Sequence, residues 1–170
     1  MMEALLRDLR QPEYVHVLLN PLPIYGLGLG LVGLTIALCL QSRAAQVTVL
    51  LLILISTVSA WPVIYFGNQA ESQILMLADE DGRAWLKVHE QRVDLLIYAF
   101  LALGAVTLAA LVLPRKWPAT AVPFAIATGV LVIGSLGAGA WVGDAGGKIR
   151  HREFRTTPLP ETQSTGRPLL

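Results

Sequence analysis

The chain has little charge, one cysteine and only three histidines among its 170 residues. Charged residues make up 15% and hydrophobic residues 54% of the sequence, whereas a soluble domain usually carries about 25% charge. The net charge of +1 and the lack of a basic stripe argue against a nucleic-acid partner. The single cysteine, Cys39, excludes an intramolecular disulfide. The composition therefore indicates a membrane protein.

Four uninterrupted apolar blocks contain no Asp, Glu, Lys or Arg: Pro21–Leu40, Ala44–Gly67, Leu95–Leu113 and Trp117–Gly143. A hydrocarbon core about 30 Å thick needs roughly 20 apolar residues of helix. The remaining polar residues could not coat four such helices in a soluble protein. We therefore predict an all-α, integral membrane four-helix bundle. It forms one domain, 21–154, with spans at about 21–40, 44–67, 93–113 and 117–143.

The segments outside the spans differ in character. Residues 1–20 are predicted to form an amphipathic, interfacial segment that begins with a short helix, and Asn20-Pro21-Leu22-Pro23 is expected to break any regular helix. The long polar loop 68–92 is predicted to contain two short helices on either side of an acidic turn. Residues 155–170 lack an apolar pattern and are predicted to form a disordered tail.

Glycines in the first and fourth spans predict close contacts between helices. Gly26 and Gly30 are four residues apart, as are Gly139 and Gly143. Small residues at this spacing let two helix backbones approach closely in lipid. A dinucleotide-binding loop would need a preceding strand, which the sequence does not provide.

Four spans place both termini and the 68–92 loop at one end of the bundle, here called the A end; the opposite end is the B end. More cations flank the spans at the A end, which favours a cytoplasmic A end. The A-end cations are Arg7, Arg10, Arg83, Lys87, Arg92, Lys148, Arg150, Arg152 and Arg155, and those at the B end are Arg43, Arg115 and Lys116.

All three histidines lie at the A end: His16 precedes span one, His89 precedes span three and His151 follows span four. Asp94 and Asp144 also lie there, at span ends. Imidazoles with carboxylates are typical metal ligands, and two histidines on different helices can serve as the axial ligands of a b-type haem. Proton transfer is a third use. The alternative is that these residues simply belong to a polar interface.

The sequence contains no nucleophile–base pair, phosphate loop or carboxylate dyad, so it predicts no catalytic residues and no independent enzyme activity. Two function classes stay open. The first is a haem- or metal-binding electron-transfer component that uses the histidines. The second is a cofactor-free structural or interaction subunit of a membrane complex. A small transporter is a third hypothesis, disfavoured because the span interiors carry no charge. The expected partners are the lipid bilayer and other membrane subunits or further copies of the chain.

Three short motifs resemble those of a widespread family of small bacterial membrane proteins, known mainly as a four-helix domain of unknown function. His16-Val17-Leu18-Leu19-Asn20-Pro21-Leu22-Pro23-Ile24, before a glycine-rich span, is similar to the family's opening, in which a proline stands seven residues after a histidine. Trp85-Leu86-Lys87-Val88-His89 is similar to its next marked position, and Gly146-Gly147-Lys148-Ile149-Arg150-His151 to its closing glycine-pair motif.

The resemblance covers roughly residues 14–154. The chain departs from the family pattern by carrying Pro21 in place of a second histidine and His151 where tyrosine is common. The resemblance implies a four-helix bundle in a bacterial inner membrane, sometimes associated with redox chains. It does not supply a reaction.

Overall fold

The computed structural model describes residues 2–159, and this part of the chain folds into seven α-helices joined by short turns. The helices are α1 (Met2–Asp8), α2 (Pro12–Leu19), α3 (Pro21–Cys39), α4 (Arg43–Val58), α5 (Ala60–Leu77), α6 (Glu80–Val112) and α7 (Ala121–Arg150). Short 3-10 turns occupy Leu113–Arg115, Pro118–Thr120 and Arg152–Phe154. The prediction of an all-α fold is confirmed.

The helices combine into four long spans, each long and apolar enough to cross a membrane. They are Pro12–Cys39, Arg43–Leu77, Glu80–Arg115 and Pro118–Arg150, with 28, 35, 36 and 33 residues. At a rise of 1.5 Å per residue, the longer three measure about 50 Å, well beyond a hydrocarbon core of about 30 Å. The helices therefore have room to extend past a bilayer core by several turns.

The four spans pack in a ring. In it, α3 contacts α4 and α7, α6 also contacts α4 and α7, and α2 lies against α5. Their inner faces form an apolar core that includes Leu27, Leu34, Leu50, Ile53, Leu103 and Val132. Buried threonine hydroxyls in this core donate to carbonyls one turn earlier on their own helices, which satisfies their hydrogen-bonding groups without a partner helix.

The predicted packing glycines have different surroundings. An added Cβ at Gly30 would lie 2.5 Å from Ile53 Cγ1, and one at Gly139 would lie 2.5 Å from Ile24 Cδ1. Gly26 lies directly against the Ser56 side chain. At Gly143 an added Cβ would meet no atom within 4 Å. The first three glycines therefore stand at helix contacts, and Gly143 faces open space.

The polar segments next to the spans are helical, as predicted for 68–92, but their helices continue into the spans. Asn20 has helical angles (φ −52°, ψ −36°) and Pro21 lies in the first turn of α3, where a missing N–H costs no hydrogen bond. Helix α2 therefore continues almost directly into α3. In the predicted loop 68–92, α5 continues to Leu77 and α6 begins at Glu80. Residues 160–170 of the predicted tail lie outside the described part of the chain.

Candidate functional site

His16 projects from α2 onto a glycine of α5. Its Nδ1 lies 2.8 Å from the carbonyl oxygen of Val63, and a carbonyl can only accept a hydrogen bond. The Nδ1 atom therefore carries the proton and donates it. The ring rests against Gly67, where an added Cβ would lie 3.0 Å from His16 Nδ1 and Cε1.

His89 makes the same contact in the other half of the molecule. Its Nδ1–H donates to the carbonyl of Val142, at 3.1 Å. Its ring rests against Gly146 of α7, where an added Cβ would lie 3.2 Å from the imidazole. In both cases the accepting carbonyl belongs to a valine four residues before the glycine. We call each of these arrangements a histidine clamp.

The two clamps leave both Nε2 atoms available. Because Nδ1 carries the proton, Nε2 of each neutral ring has a free lone pair. No other described residue forms a hydrogen bond with Nε2 of His16 or His89. A charge on His16 acts on His89, which is consistent with both clamps lying at the A end of the bundle.

His151 makes contacts of a different kind. It follows the end of α7, is exposed, donates from Nδ1 to Glu153 Oε1 at 3.0 Å and stacks on Phe154. The backbone N–H of Glu153 and this imidazole hold the pKa of Glu153 below its usual range. His151 is therefore engaged in a local surface interaction at the C-terminal end of the last span.

Neither aspartate forms a hydrogen bond or ion pair with His16 or His89 among the described residues. Asp144 lies between two cations, at 3.2 Å from Arg92 and 3.0 Å from Lys148. Asp94 is exposed and forms no hydrogen bond or ion pair among the described residues. Within residues 2–159 no group of three or more His, Cys, Asp or Glu side chains could hold a metal ion.

Around Asp144 the structure shows a set of cation–aromatic contacts that were not predicted from the sequence. The Arg92 guanidinium lies 4.5 Å from the Trp141 ring centroid, and Lys148 Nζ lies 4.5 Å from that of Trp85. Arg92 also donates to the Trp141 carbonyl. Tryptophans next to cations at a span end were the available signal. These contacts tie α6 firmly to α7.

The segment after α7 fastens the A end of the bundle. Arg155 donates to the carbonyls of Lys148 and Ile149 and to the Asp79 carboxylate, and Arg152 reaches the same carboxylate at 2.8 Å. Asp79 also accepts from the Gly82 N–H, at 2.8 Å. The Arg155 hydrogen bond, followed by that of Gly82, holds the pKa of Asp79 well below its usual range. Arg155, the first residue of the predicted disordered tail, is therefore held against the bundle.

An apolar groove lies between α4–α5 and α6, away from both clamps. Its volume is about 270 Å³, and its lining includes Trp61, Phe100 and Leu108 but neither histidine. Thr57, its hydroxyl-bearing lining residue, donates to its own helix. The groove therefore offers apolar contacts and no obvious polar recognition.

The clamps reveal an internal repeat of two helical hairpins, 12–77 and 80–150. Five of eleven positions are identical at an offset of 73 residues: Val15, His16, Leu22, Ile24 and Tyr25 correspond to Val88, His89, Leu95, Ile97 and Tyr98. Burial follows the same offset: the buried residues Leu27, Gly30, Leu34 and Ala37 correspond to the buried residues Phe100, Leu103, Thr107 and Ala110. On the second helix of each hairpin, Val63 and Gly67 correspond to Val142 and Gly146 at an offset of 79.

The described chain is thus an all-α bundle of four helices long and apolar enough to span a membrane, built from two similar hairpins with a histidine clamp in each. No family model, curated protein or solved structure matches the chain.

Proposed function

We propose that this is an integral membrane protein that binds haem through His16 and His89 and acts as an electron-transfer component of a larger membrane assembly. One observation carries the proposal. Both imidazoles donate Nδ1–H to a backbone carbonyl, which leaves both Nε2 lone pairs free. Histidines that ligate metals in proteins commonly have this second hydrogen bond, because it fixes the tautomer and makes the ligating nitrogen more basic.

The ligand set favours haem over a metal ion held by protein side chains alone. A structural zinc site takes four protein ligands, and a catalytic one takes three. The described residues include no group of three or more suitable side chains. Haem needs only two axial ligands from the protein, and two imidazoles are a usual pair. His16 and His89 match that requirement without Asp94, Asp144 or His151.

The depth of the two histidines is consistent with a site at a membrane boundary. About 20 helical residues cross the hydrocarbon core. Counted from the B end, they run from Cys39 back to Asn20 in span one and from Val112 back to Val93 in span three. His16 and His89 each lie four residues further on, about 6 Å beyond the core. Both would then lie in the headgroup layer.

The surroundings of the spans support insertion in a bilayer. Large apolar side chains such as Leu29, Ile55 and Val130 are exposed along their middles, as expected of lipid-facing positions. We further propose a bacterial inner membrane with the A end in the cytoplasm, because cations predominate at that end. Labelling with a membrane-impermeant thiol reagent, in a Cys39→Ala background with a single cysteine at Arg150 or Lys116, tests this orientation. Labelling of the Arg150 position in intact cells would contradict it.

In this proposal the residues of the site have separate tasks. His16 and His89 would hold the haem through their Nε2 atoms. The carbonyls of Val63 and Val142 orient the two rings and strengthen their donation of electron density. A bound haem iron supplies one-electron exchange.

A cofactor-free structural subunit is the second candidate, and the same clamps support it. Each Nδ1–H already joins two helices, His16 across α2 and α5 and His89 across α6 and α7. In that case the imidazoles would act as cross-links, and Nε2 would meet only water or headgroups.

Asparagine substitutions separate the two candidates, because the Asn side-chain amide can donate as Nδ1–H does and has no counterpart of Nε2. His16→Asn, His89→Asn and the control His151→Asn would be expressed with haem available and purified in detergent. We expect wild type and His151→Asn to show a Soret band and a sharp reduced α-band. His16→Asn and His89→Asn should lose haem while remaining folded. A folded wild-type protein without a Soret band would overturn the haem proposal in favour of the structural candidate.

A further inference from the structure

The glycine of each clamp has a specific geometric consequence. In an α-helix, a side chain leans toward the N-terminus and covers the turn before its own Cα. The residue at position i+4 therefore covers the carbonyl of residue i. With glycine at 67 and 146, the carbonyls of Val63 and Val142 are open to an approaching ring, and both accept from an imidazole.

The available space explains why these positions suit glycine. Glycine in a helix costs roughly 1 kcal/mol relative to alanine, so its presence at both clamps calls for a compensating contact. An added Cβ would lie 3.0 Å from the His16 ring at Gly67 and 3.2 Å from the His89 ring at Gly146. Both distances are tighter than ordinary van der Waals contact. A methyl group at either position would push the ring away from its carbonyl.

Other glycines of α7 lack this environment. At Gly134 and Gly137 an added Cβ would meet no atom within 4 Å. The same valine–glycine–histidine arrangement nevertheless occurs at corresponding positions of both hairpins. Its recurrence shows that the arrangement is not a peculiarity of one helix contact.

We infer that Gly67 and Gly146 are positioning residues, each of which holds the histidine facing it in the Nδ1–H tautomer with Nε2 free. The two hairpins thereby present two equivalent nitrogen donors at one end of the bundle. The tautomer part of this inference stands by itself. Only its consequence for a bound ligand rests on the proposed haem function.

The tautomers can be measured directly because the chain contains only three histidines. Protein labelled with ¹⁵N-histidine, prepared without haem in lipid bilayers near pH 8, would be studied by solid-state NMR and assigned with single His→Asn variants. We expect His16 and His89 to be Nδ1–H tautomers in wild type. Gly67→Ala should change the tautomer ratio of His16 alone, and Gly146→Ala that of His89 alone. The expected change is about fivefold, the effect of losing one hydrogen bond.

Matched controls and a second readout make the result decisive. Gly134→Ala and Gly137→Ala introduce the same methyl group on α7 and should leave all three histidines unchanged. An Nε2–H tautomer in wild type, or unchanged ratios in both clamp variants, would overturn the inference. If an alanine variant fails to fold, the inference is tested by whether His16 and His89 are Nδ1–H tautomers in the wild-type protein.

The haem consequence is tested separately. In haem-loaded protein, Gly67→Ala and Gly146→Ala should raise the reduction potential relative to Gly134→Ala, because a weaker Nδ1–H bond makes Nε2 a poorer donor. Responsive tautomers in a protein that binds no haem would sustain the positioning role and reject the proposed function. A protein that binds haem but whose histidine tautomers do not respond to the glycine substitutions would support the proposed function and reject the positioning role.

Discussion

The two hairpins share one histidine clamp each but differ in their other polar contacts. In the first, the bond from His16 to Val63 is the one hydrogen bond or ion pair that joins α2 to α5 within residues 2–159. In the second, α6 and α7 are joined by His89 and also by Arg92 and by Lys148 over Trp85. The histidine clamp is therefore the one polar contact between α2 and α5 among the described residues, but one of several between α6 and α7.

The repeat shows where the difference arises. At the offset of 73, Arg92 corresponds to Leu19, and at the offset of 79, Asp144 corresponds to Tyr65. The first hairpin thus has apolar or aromatic residues where the second has its cation and carboxylate. We conclude that the polar attachment of α2 to α5 depends on the His16 clamp. The corresponding part of α6 would stay attached to α7 even without the His89 clamp.

The largest expected effect is that of His16→Ala on helix α2. The change removes the hydrogen bond that the Val63 carbonyl accepts in addition to the bond within its own helix, and it opens a void at Gly67. Together these should cost about 2 kcal/mol of local stability. Hydrogen exchange in detergent should show the amides of residues 15–19 exchanging roughly 30-fold faster than in wild type.

His89→Ala is the matched variant in the second hairpin. Its effect on residues 88–92 should be clearly smaller, because Arg92 still binds Trp141 and Asp144. His151→Ala should leave both segments unchanged. Equal acceleration in the two hairpins would contradict the difference in anchoring proposed here.

A smaller effect is expected from Arg92→Leu, which gives the second hairpin the residue of the first. The Asp144 ion pair and the contact with Trp141 would be lost, at a cost of about 1 kcal/mol. Without Arg92, the contact between α6 and α7 should depend more strongly on the hydrogen bond of His89. A double-mutant cycle with His89→Ala, measured by thermal unfolding in detergent, should therefore show coupling.

Lys87→Leu provides the control for the loss of a cation on α6, because Lys87 is exposed and forms no hydrogen bond or ion pair among the described residues. The effects of Lys87→Leu and His89→Ala on thermal unfolding should be additive. Additivity in the Arg92 cycle would mean that the two contacts stabilise α6 and α7 independently.

The same two halves show how far the sequence determines the fold. The spans were predictable because blocks such as Leu95–Leu113 are long and free of charge. Helix in 68–92 was also predictable, as two helices on either side of an acidic turn, but its continuity with the spans was not, because polar composition marks exposure to water and not where a helix ends. At Asn20-Pro21 the predicted break is minor, since proline in a first helical turn loses no hydrogen bond.

The site was only partly predictable. All three histidines fall at the A end by sequence, but which of them share the same surroundings depends on the helix that each one faces. His16 and His89 face glycines, whereas His151 follows the last helix. The signal was present as the repeated pairs Val63–Gly67 and Val142–Gly146. It becomes visible only when the chain is compared with itself, because five identities in eleven positions are too few to stand out.

The smallest expected effect concerns Asp79, in the turn that joins the two hairpins. Arg152 and Arg155, which follow the second hairpin, both bind its carboxylate. The pKa of Asp79 in the folded protein lies below its usual range, chiefly because of Arg155. A lowered pKa stabilises the fold at pH values above the unfolded-state pKa of about 3.9. This contribution is lost as the pH falls through that value toward the folded-state pKa.

Asp79→Asn should therefore lower the thermal midpoint at pH 7 and bring the variant closer to wild type as the pH falls from about 5 to 3. The measurement is the difference between the two melting curves in one detergent across that pH range. Asp81 lies two residues further on, in the first turn of α6, and its carboxylate forms no described hydrogen bond. Asp81→Asn should therefore show a much smaller difference. A constant difference between wild type and Asp79→Asn at all pH values would mean that the carboxylate charge does not hold the second hairpin's C-terminal segment in place. The Gly82 cap, which the Asn side chain can retain, would then account for the role of Asp79.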